Sequence, residues 1–305
     1  MQSALDTAGR DAAWIAHLFV VMTAGAVIIW AIVVALAVYA IRTHETYSER
    51  AANLLVIGGG VALPTVVLAA LLAYGLPVLP KLLTPAPDGN LQIDVTGKQW
   101  WWRVRYVSDR GAIETANELR LPVGQRVNLR LDSTDVIHSF WVPSIAGKMD
   151  LIPGRVTHLA LEPTRTGVFR GACAEYCGTS HALMAFHVVV MERDEFDAWL
   201  DHQAQPAQAP PREEATHGQA EFIANGCGAC HTVRGSAADG RVGPDLTHVG
   251  SRLRIGAGAL DNEPESFLEW IAHADVVKPG VHMPAFRALP AESLSSLAAY
   301  LDGLQ

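Results

Sequence analysis

One stretch of the chain concentrates donor atoms that can hold a metal: Cys173-Ala-Glu-Tyr-Cys177-Gly-Thr-Ser-His181-Ala-Leu-Met184, with His138 upstream. Two thiolates, two imidazoles and a thioether make a soft donor set. Such a set selects copper, and a His/Cys/Met mixture is typical of electron-transfer sites. Two cysteines four residues apart on one loop can turn both sulfurs into the same space. Two thiolates and two imidazoles exceed what one copper of this kind needs; they suit two copper ions bridged by both sulfurs. Two other readings stay open. The cysteines could form a disulfide in an oxidising compartment, or two Cys and two His could hold zinc, which would leave Met184 idle.

A second cluster, Cys227-Gly-Ala-Cys230-His231, has the C-x-x-C-H spacing of a c-type heme attachment site. The spacing lets both sulfurs form thioethers to the porphyrin edge while the adjacent imidazole binds iron. A thioredoxin-like pair could share the spacing, but no βαβ pattern surrounds it. Met283, in Lys278-Pro-Gly-Val-His-Met-Pro284, is the candidate second axial ligand, with His282 next to it as the competitor. His/Met ligation raises the heme potential, as electron transfer requires. The chain has only these four cysteines, in two close pairs, unlike a dispersed disulfide framework.

These clusters need elements to position them. Apolar residues gather in the first 80 positions. Ile15 to Ile41 and Leu54 to Leu79 are long enough to cross a ~30 Å hydrocarbon core. The first run is too long for a signal peptide and no small-residue cleavage motif follows it. Pro64 lies inside the second run, and Gly58-Gly59-Gly60 suits close packing against another helix. Arg42 and Arg50 flank the short loop between the runs and put it in the cytoplasm, with both ends of the chain outside.

After position 90 the hydrophobic period becomes two: Leu91, Ile93, Val95; Trp102, Val104, Tyr106; Val127, Leu129, Leu131. Turn signals at Asp109-Arg110-Gly111, Pro122-Val123-Gly124 and Pro153-Gly154 separate the runs. This predicts an antiparallel sandwich or barrel, closed by a helix over 194–202. Residues 203–213 are rich in Pro, Gln and Ala and read as a semi-extended tether. Beyond it, Thr216-His-Gly-Gln219 reads as a capping box opening a helix, and further helices are expected over 265–274 and 291–301. The predicted boundaries are 1–86 for a tail and transmembrane hairpin, 87–202 for the β domain, 203–213 for the linker and 214–305 for the helical domain.

The net charge of −8 argues against a nucleic-acid partner. Residues 214–305 hold six Lys/Arg against eleven Asp/Glu, a net of −5. That acidity suits docking of a basic donor at a rate that falls with salt, or serves only as a solvated face.

The run C-x-E-x-C-G-x-x-H-x-x-M, the segment Asp135-Val-Ile-His-Ser-Phe-Trp-Val-Pro-Ser144 and the aromatic run Gly97-Lys-Gln-Trp-Trp-Trp102 resemble the CuA domain of cytochrome c oxidase subunit II. The Met283-Pro284 loop resembles that of class I cytochromes c. The whole chain resembles subunit II of a caa-type oxidase, with a cytochrome c domain fused behind the CuA domain. The resemblance implies a multidomain fold: a two-helix transmembrane hairpin, an all-β cupredoxin-like Greek-key barrel and an all-α class I cytochrome c domain. It implies two copper ions held by His138, Cys173, the carbonyl of Glu175, Cys177, His181 and Met184. The Glu175 carboxylate would reach a magnesium ion at the boundary with the catalytic subunit. Trp100 matches the tryptophan at the surface where electrons enter.

For the heme c, the resemblance implies covalent attachment at Cys227 and Cys230, iron ligation by His231 and Met283, and a Pro244 carbonyl that orients His231. The implied function is that of a proton-translocating cytochrome c oxidase: electrons pass from a cytochrome c-type donor through the heme c and CuA to the heme of subunit I, where O2 is reduced to water. Neither O2 reduction nor any catalytic residue is expected on this chain. The implied partners are subunits I and III, the donor and the lipid bilayer, in a bacterial inner membrane with the C-terminal domains outside. One departure matters: many relatives carry a proton-channel glutamate where this chain has Ile57, so that role is not transferred. Relatives often begin with a signal or lipid-anchor segment that is absent before Ile15, which fits a truncated start. A membrane-tethered copper-delivery or redox-relay protein with no oxidase partner, and a subunit of another reductase such as one acting on nitric oxide, are the alternative functions.

Overall fold

A computed structural model describes residues 2–43, 48–87, 89–108 and 111–305, with only the backbone described at Leu83 and Ser108. It divides into two compact units, one of residues 13–84 and one of 1–12 with 85–305.

The first unit holds two helices of membrane-spanning length, Arg10–Thr43 and Glu49–Leu82. Ser48 caps the second by accepting the Ala51 N–H at 3.3 Å. Its turns widen to π geometry over Leu54–Ala62 before returning to α over Leu63–Gly75. Pro64 has no N–H to offer the preceding turn, and the widened segment just ahead of it is where such a mismatch is absorbed. Phe19, Ile28, Trp30, Ile32, Val56, Val66 and Leu68 are all exposed. A continuous apolar surface of this kind suits lipid, not water. Among the described residues, nothing lies within 4 Å of a Cβ placed on Gly59 or Gly60.

The second unit opens on a β sandwich. One sheet has strand order β3 (Gly111–Ala116), β2 (Trp101–Ser108), β1 (Gln92–Lys98), β5 (Val127–Ser133), β8 (Thr157–Leu161). The other has β4 (Glu118–Pro122), β10 (Ala185–Met191), β9 (Gly167–Cys173), β6 (His138–Trp141), β7 (Met149–Leu151). The period-two residues Ile93, Val95, Trp102, Val104, Tyr106, Leu129 and Leu131 are buried between the sheets, as alternation requires. Pairing is not purely antiparallel: β1 runs parallel to β5 and β4 parallel to β10. The Tyr106 hydroxyl ties the sheets together, donating to the Arg120 carbonyl at 3.1 Å and accepting the Arg120 N–H at 2.7 Å. Of the three turn signals, Gly124 and Gly154 sit at positive φ as expected. Asp109 and Arg110 lie outside the described residues. The closing helix is Arg193–Gln203, and its capping box is made by Glu192 and Glu195.

Three helices, Glu213–Ala224, Pro264–Val277 and Ala291–Asp302, build the last domain around Phe222, Phe267, Ile271, Leu297 and Tyr300. The first and last cross at Gly218, where any Cβ would run into the Ser296 carbonyl. Thr216 is not the cap of the first helix. That helix begins at Glu213 with Arg212 as N-cap, and the Thr216 hydroxyl donates back to the Arg212 carbonyl at 3.1 Å.

Two further arrangements differ from the sequence reading. Residues 2–12, including the first turn of the helix that starts at Arg10, group with the sandwich and line it. Ala8 N–H donates to Ser144 O at 2.6 Å and Thr164 N–H to Ala8 O at 2.8 Å, while Asp11 pairs with Arg126 at 3.5 Å. The first part of the linker is bonded to the helical domain. Ala207 N–H donates to Arg234 O at 2.8 Å, and the His248 ring nitrogens lie 3.0 Å from Gln205 O and 2.7 Å from Gln305 O. Main-chain groups make most of these contacts, so composition could not announce them.

Candidate metal centre

The 174–184 loop joins β9 to β10, and main-chain bonds close it. Cys173 N–H donates to Met184 O at 3.0 Å and Ala174 N–H to Ser139 O at 2.9 Å. Phe140 of β6 pairs with Cys173 of β9, which brings His138 beside the loop. Gly97 of β1 faces it, and a side chain there would meet the His138 ring at 2.7 Å.

Six donors converge in this pocket. Cys173 Sγ lies 3.8 Å from Cys177 Sγ, 3.8 Å from His138 Nδ1 and 3.2 Å from the Glu175 carbonyl oxygen. Cys177 Sγ lies 3.5 Å from His181 Nδ1 and 3.8 Å from Met184 Sδ. His138, Cys173, Cys177 and Met184 are buried, whereas Glu175 is exposed. Both cysteines are free, and a sulfur separation of 3.8 Å is far beyond the ~2.05 Å of a disulfide, which removes that reading. The thioether in contact with one sulfur and the carbonyl in contact with the other give Met184 and Glu175 places that a Cys2His2 zinc site would leave unused. Each sulfur thus has one imidazole and one weaker donor at its side. That two-fold division suits two copper ions sharing both sulfurs better than one.

The charges suit a cation. A hydrogen bond from the Cys177 thiol, with further help from His138 and main-chain groups, brings Cys173 down to about 4. The same contact pushes Cys177 up, since its ionisation would set a second negative charge beside the first, and burial adds to the effect. A metal ion would remove that conflict and allow both sulfurs to be thiolates. Burial lowers the pKa of His138, but hydrogen bonds to Cys173 and Asp135 outweigh it and the net shift is upward.

Asp135 is a part of the site that sequence reasoning missed. Its Oδ1 lies 2.8 Å from His138 Nε2, and its carboxylate also accepts the N–H of Gln99 and Val136, both at 2.7 Å. Burial favours the neutral acid, yet these bonds hold the carboxyl below its usual range. An acceptor on Nε2 keeps the proton there and leaves the Nδ1 lone pair facing the sulfurs. The only sequence signal was an acid three residues before a ligand.

In the helical domain Cys227 opens a tight turn after Gly226, which has φ +76°. His231 Nδ1 lies 2.8 Å from the Pro244 carbonyl. With Nδ1–H donated there, Nε2 remains for iron. Gly243 stands beside the ring, where a Cβ would come within 2.5 Å. Burial lowers the His231 pKa, which keeps the imidazole neutral and able to ligate. Cys227 and Cys230 are both free. Two unpaired thiols and an oriented neutral imidazole fit a covalently held heme. Met283 is half-buried and His282 exposed on the loop that follows the helix Pro264–Val277.

Trp100 is where the structure corrects the sequence reading most. The indole is only 6% exposed and so is not at a surface open to an external donor. Its Nε1–H donates to the Cys177 carbonyl at 2.9 Å, and residues of the helical domain cover its other side.

Comparison with known proteins identifies two families along the chain. Residues 108–192 match the family described as cytochrome c oxidase subunit II, periplasmic domain, and residues 215–305 match the cytochrome c family. Cytochrome c oxidase subunit 2 of Alkalihalophilus pseudofirmus is 39% identical over 218 residues, covering 72% of this chain and 62% of that protein. The subunit 2 of Bacillus sp. strain PS3 is 37% identical over 224 residues, covering 70% of this chain and 62% of that one. This chain therefore spans a little over three fifths of the length of these curated relatives. A crystal structure of the periplasmic domain of subunit II of cytochrome oxidase of Bradyrhizobium japonicum is 34% identical, is covered to 96% by 39% of this chain, and aligns with a TM-score of 0.37. The chain belongs to the cytochrome c oxidase subunit II family and carries a cytochrome c domain behind its cupredoxin-like domain.

Proposed function

We propose that this chain is the electron-accepting subunit of a caa-type, proton-translocating cytochrome c oxidase. Electrons would travel from a cytochrome c-type donor to the helical domain, then to the cupredoxin-like domain, then to subunit I, which reduces O2 to water. The observation that carries this reading is the convergence of six donors around two sulfurs 3.8 Å apart.

Two copper ions held by His138, Cys173, the Glu175 carbonyl, Cys177, His181 and Met184, with a heme c on Cys227, Cys230, His231 and Met283, would supply reversible one-electron chemistry. The chain's own residues keep that chemistry simple. Asp135 and Pro244 each fix one imidazole, and Phe140, Trp102 and Phe186 form a dry aromatic floor with ring centroids 4.5 to 5.8 Å apart. Rigid, desolvated donors change little between oxidation states, which speeds electron transfer. The exposed Glu175 carboxylate is free to reach a magnesium ion at the boundary with subunit I.

Two helices of spanning length and a domain of a periplasmic family make this a membrane-anchored protein. We assign it to the bacterial inner membrane with both ends outside. The bonding of residues 2–12 to the sandwich supports this topology, because it ties the N-terminal segment to the soluble domains. Subunits I and III are the proposed membrane partners. The test is purification through this chain from its native membrane. Recovery of a many-helix heme protein with cyanide-sensitive O2 uptake supports the reading; a chain that purifies without such a partner from an active membrane defeats it.

A further inference from the structure

Around Trp100 the two soluble domains meet in a way the proposed electron route does not by itself require. The indole lies between two glycines, Gly178 of the copper-ligand loop and Gly280 of the Met283 loop. Both have positive φ, +112° and +80°. A Cβ at Gly178 would come within 3.1 Å of the indole and one at Gly280 within 2.9 Å. Only residues without a side chain allow both loops to approach the ring so closely.

Beside Gly280, Lys278 is 2% exposed, and its Nζ donates across the domain boundary to the Trp100 carbonyl at 2.5 Å and within its own domain to the Gly256 carbonyl at 3.0 Å. Ser180 Oγ donates to the Pro279 carbonyl at 2.6 Å, and Ala185 N–H to Ala257 O at 3.1 Å. A buried amine is costly to desolvate and contributes little net stability compared with an apolar side chain. What it supplies is registry, since two named carbonyls must face it at once.

We propose that Lys278 is a positioning residue that, with Gly280, latches the Met283 loop onto Trp100. The latch aligns the chain's own cytochrome domain for transfer to the copper-binding domain and closes Trp100 to external donors. The inference rests on the proposed electron route. On this arrangement a soluble donor docks on the acidic cytochrome domain and never on the tryptophan.

The test uses the full holoprotein and the variants Lys278→Met and Ser180→Ala. Hydrogen exchange followed by mass spectrometry reads the latch itself. Faster exchange in peptides spanning 97–101 and 276–283 is expected in both variants, more so in Lys278→Met. Rapid photoreduction of the heme reads the consequence. Heme-to-copper transfer is expected to slow on the order of tenfold or more while both optical spectra stay unchanged, as a small loss of alignment predicts. Unchanged exchange, or transfer within about twofold of wild type, would overturn the latch. If Lys278→Met loses its heme, Ser180→Ala carries the same two readouts. A protein that binds neither metal centre would sink the functional reading, whereas exchange in the apoprotein would still decide whether the latch exists.

Discussion

The indole N–H of Trp100 donates to the carbonyl of Cys177 at 2.9 Å, so the ring covered by the cytochrome domain is hydrogen-bonded directly to a residue that supplies one of the two central sulfurs. This bond joins the domain interface to the metal pocket. Residues that support either partner should therefore affect metal binding, redox behaviour and domain docking in separable ways.

Replacing Asp135 by Asn keeps the size but removes the charge that fixes the His138 tautomer. Copper affinity should fall by about 10–100-fold, with the fold intact. Competitive chelator titration of the isolated soluble region, with circular dichroism as the folding check, measures this.

Met184 is buried and its thioether lies 3.8 Å from Cys177 Sγ. Met184→Leu conserves volume and should cost less than about 1.5 kcal/mol of stability. Two coppers should still bind, but the reduction potential should shift because the weak axial donor is lost. Redox titration followed by visible absorption would detect the shift, and an unchanged potential would contradict the assigned role.

Gly218→Ala drives a methyl group into the Ser296 carbonyl where the first and last helices of the cytochrome domain cross. Overpacking of this kind costs about 1–3 kcal/mol. The melting temperature of the cytochrome domain should drop while that of the sandwich changes little, as differential scanning calorimetry can show.

Lys278 carries a pH signature. Burial brings its pKa from 10.5 to about 7. Between those values the unfolded chain holds a proton that the folded chain has released, so stability rises with pH across that window and levels off below about 7. In Lys278→Met this component of the slope should vanish. Thermal melts of both proteins from neutral to alkaline pH compare the slopes, and equal slopes would refute the assignment.

Much of the site was legible in the sequence because it is local. Cys173, Cys177, His181 and Met184 share one loop, and Cys227, Cys230 and His231 share one turn. The strands around Ile93, Trp102 and Leu129 were legible from the alternation of residues buried on one face. The rest depends on contacts between distant main-chain groups, which leave no mark on residue type. Nothing in its own segment marks Lys278, which the Trp100 and Gly256 carbonyls meet only in the folded chain. Trp100 was expected at a surface because it matches a family tryptophan placed there, and nothing in its own segment reveals that Gly280 covers it. At Thr216 a plausible capping pattern lost to a helix that starts three residues earlier, and the true box, Glu192 with Glu195, uses a carboxylate cap in place of the hydroxyl in the usual motif.

The most direct measurement of the central claim is an electron paramagnetic resonance spectrum of the purified protein, with copper and heme analysis on the same sample. The account predicts two coppers per chain sharing one unpaired electron, with hyperfine splitting from both nuclei, beside one low-spin, covalently bound heme. A single copper with its own four-line pattern, or a metal-free pocket with Cys173 and Cys177 oxidised to each other, would contradict it.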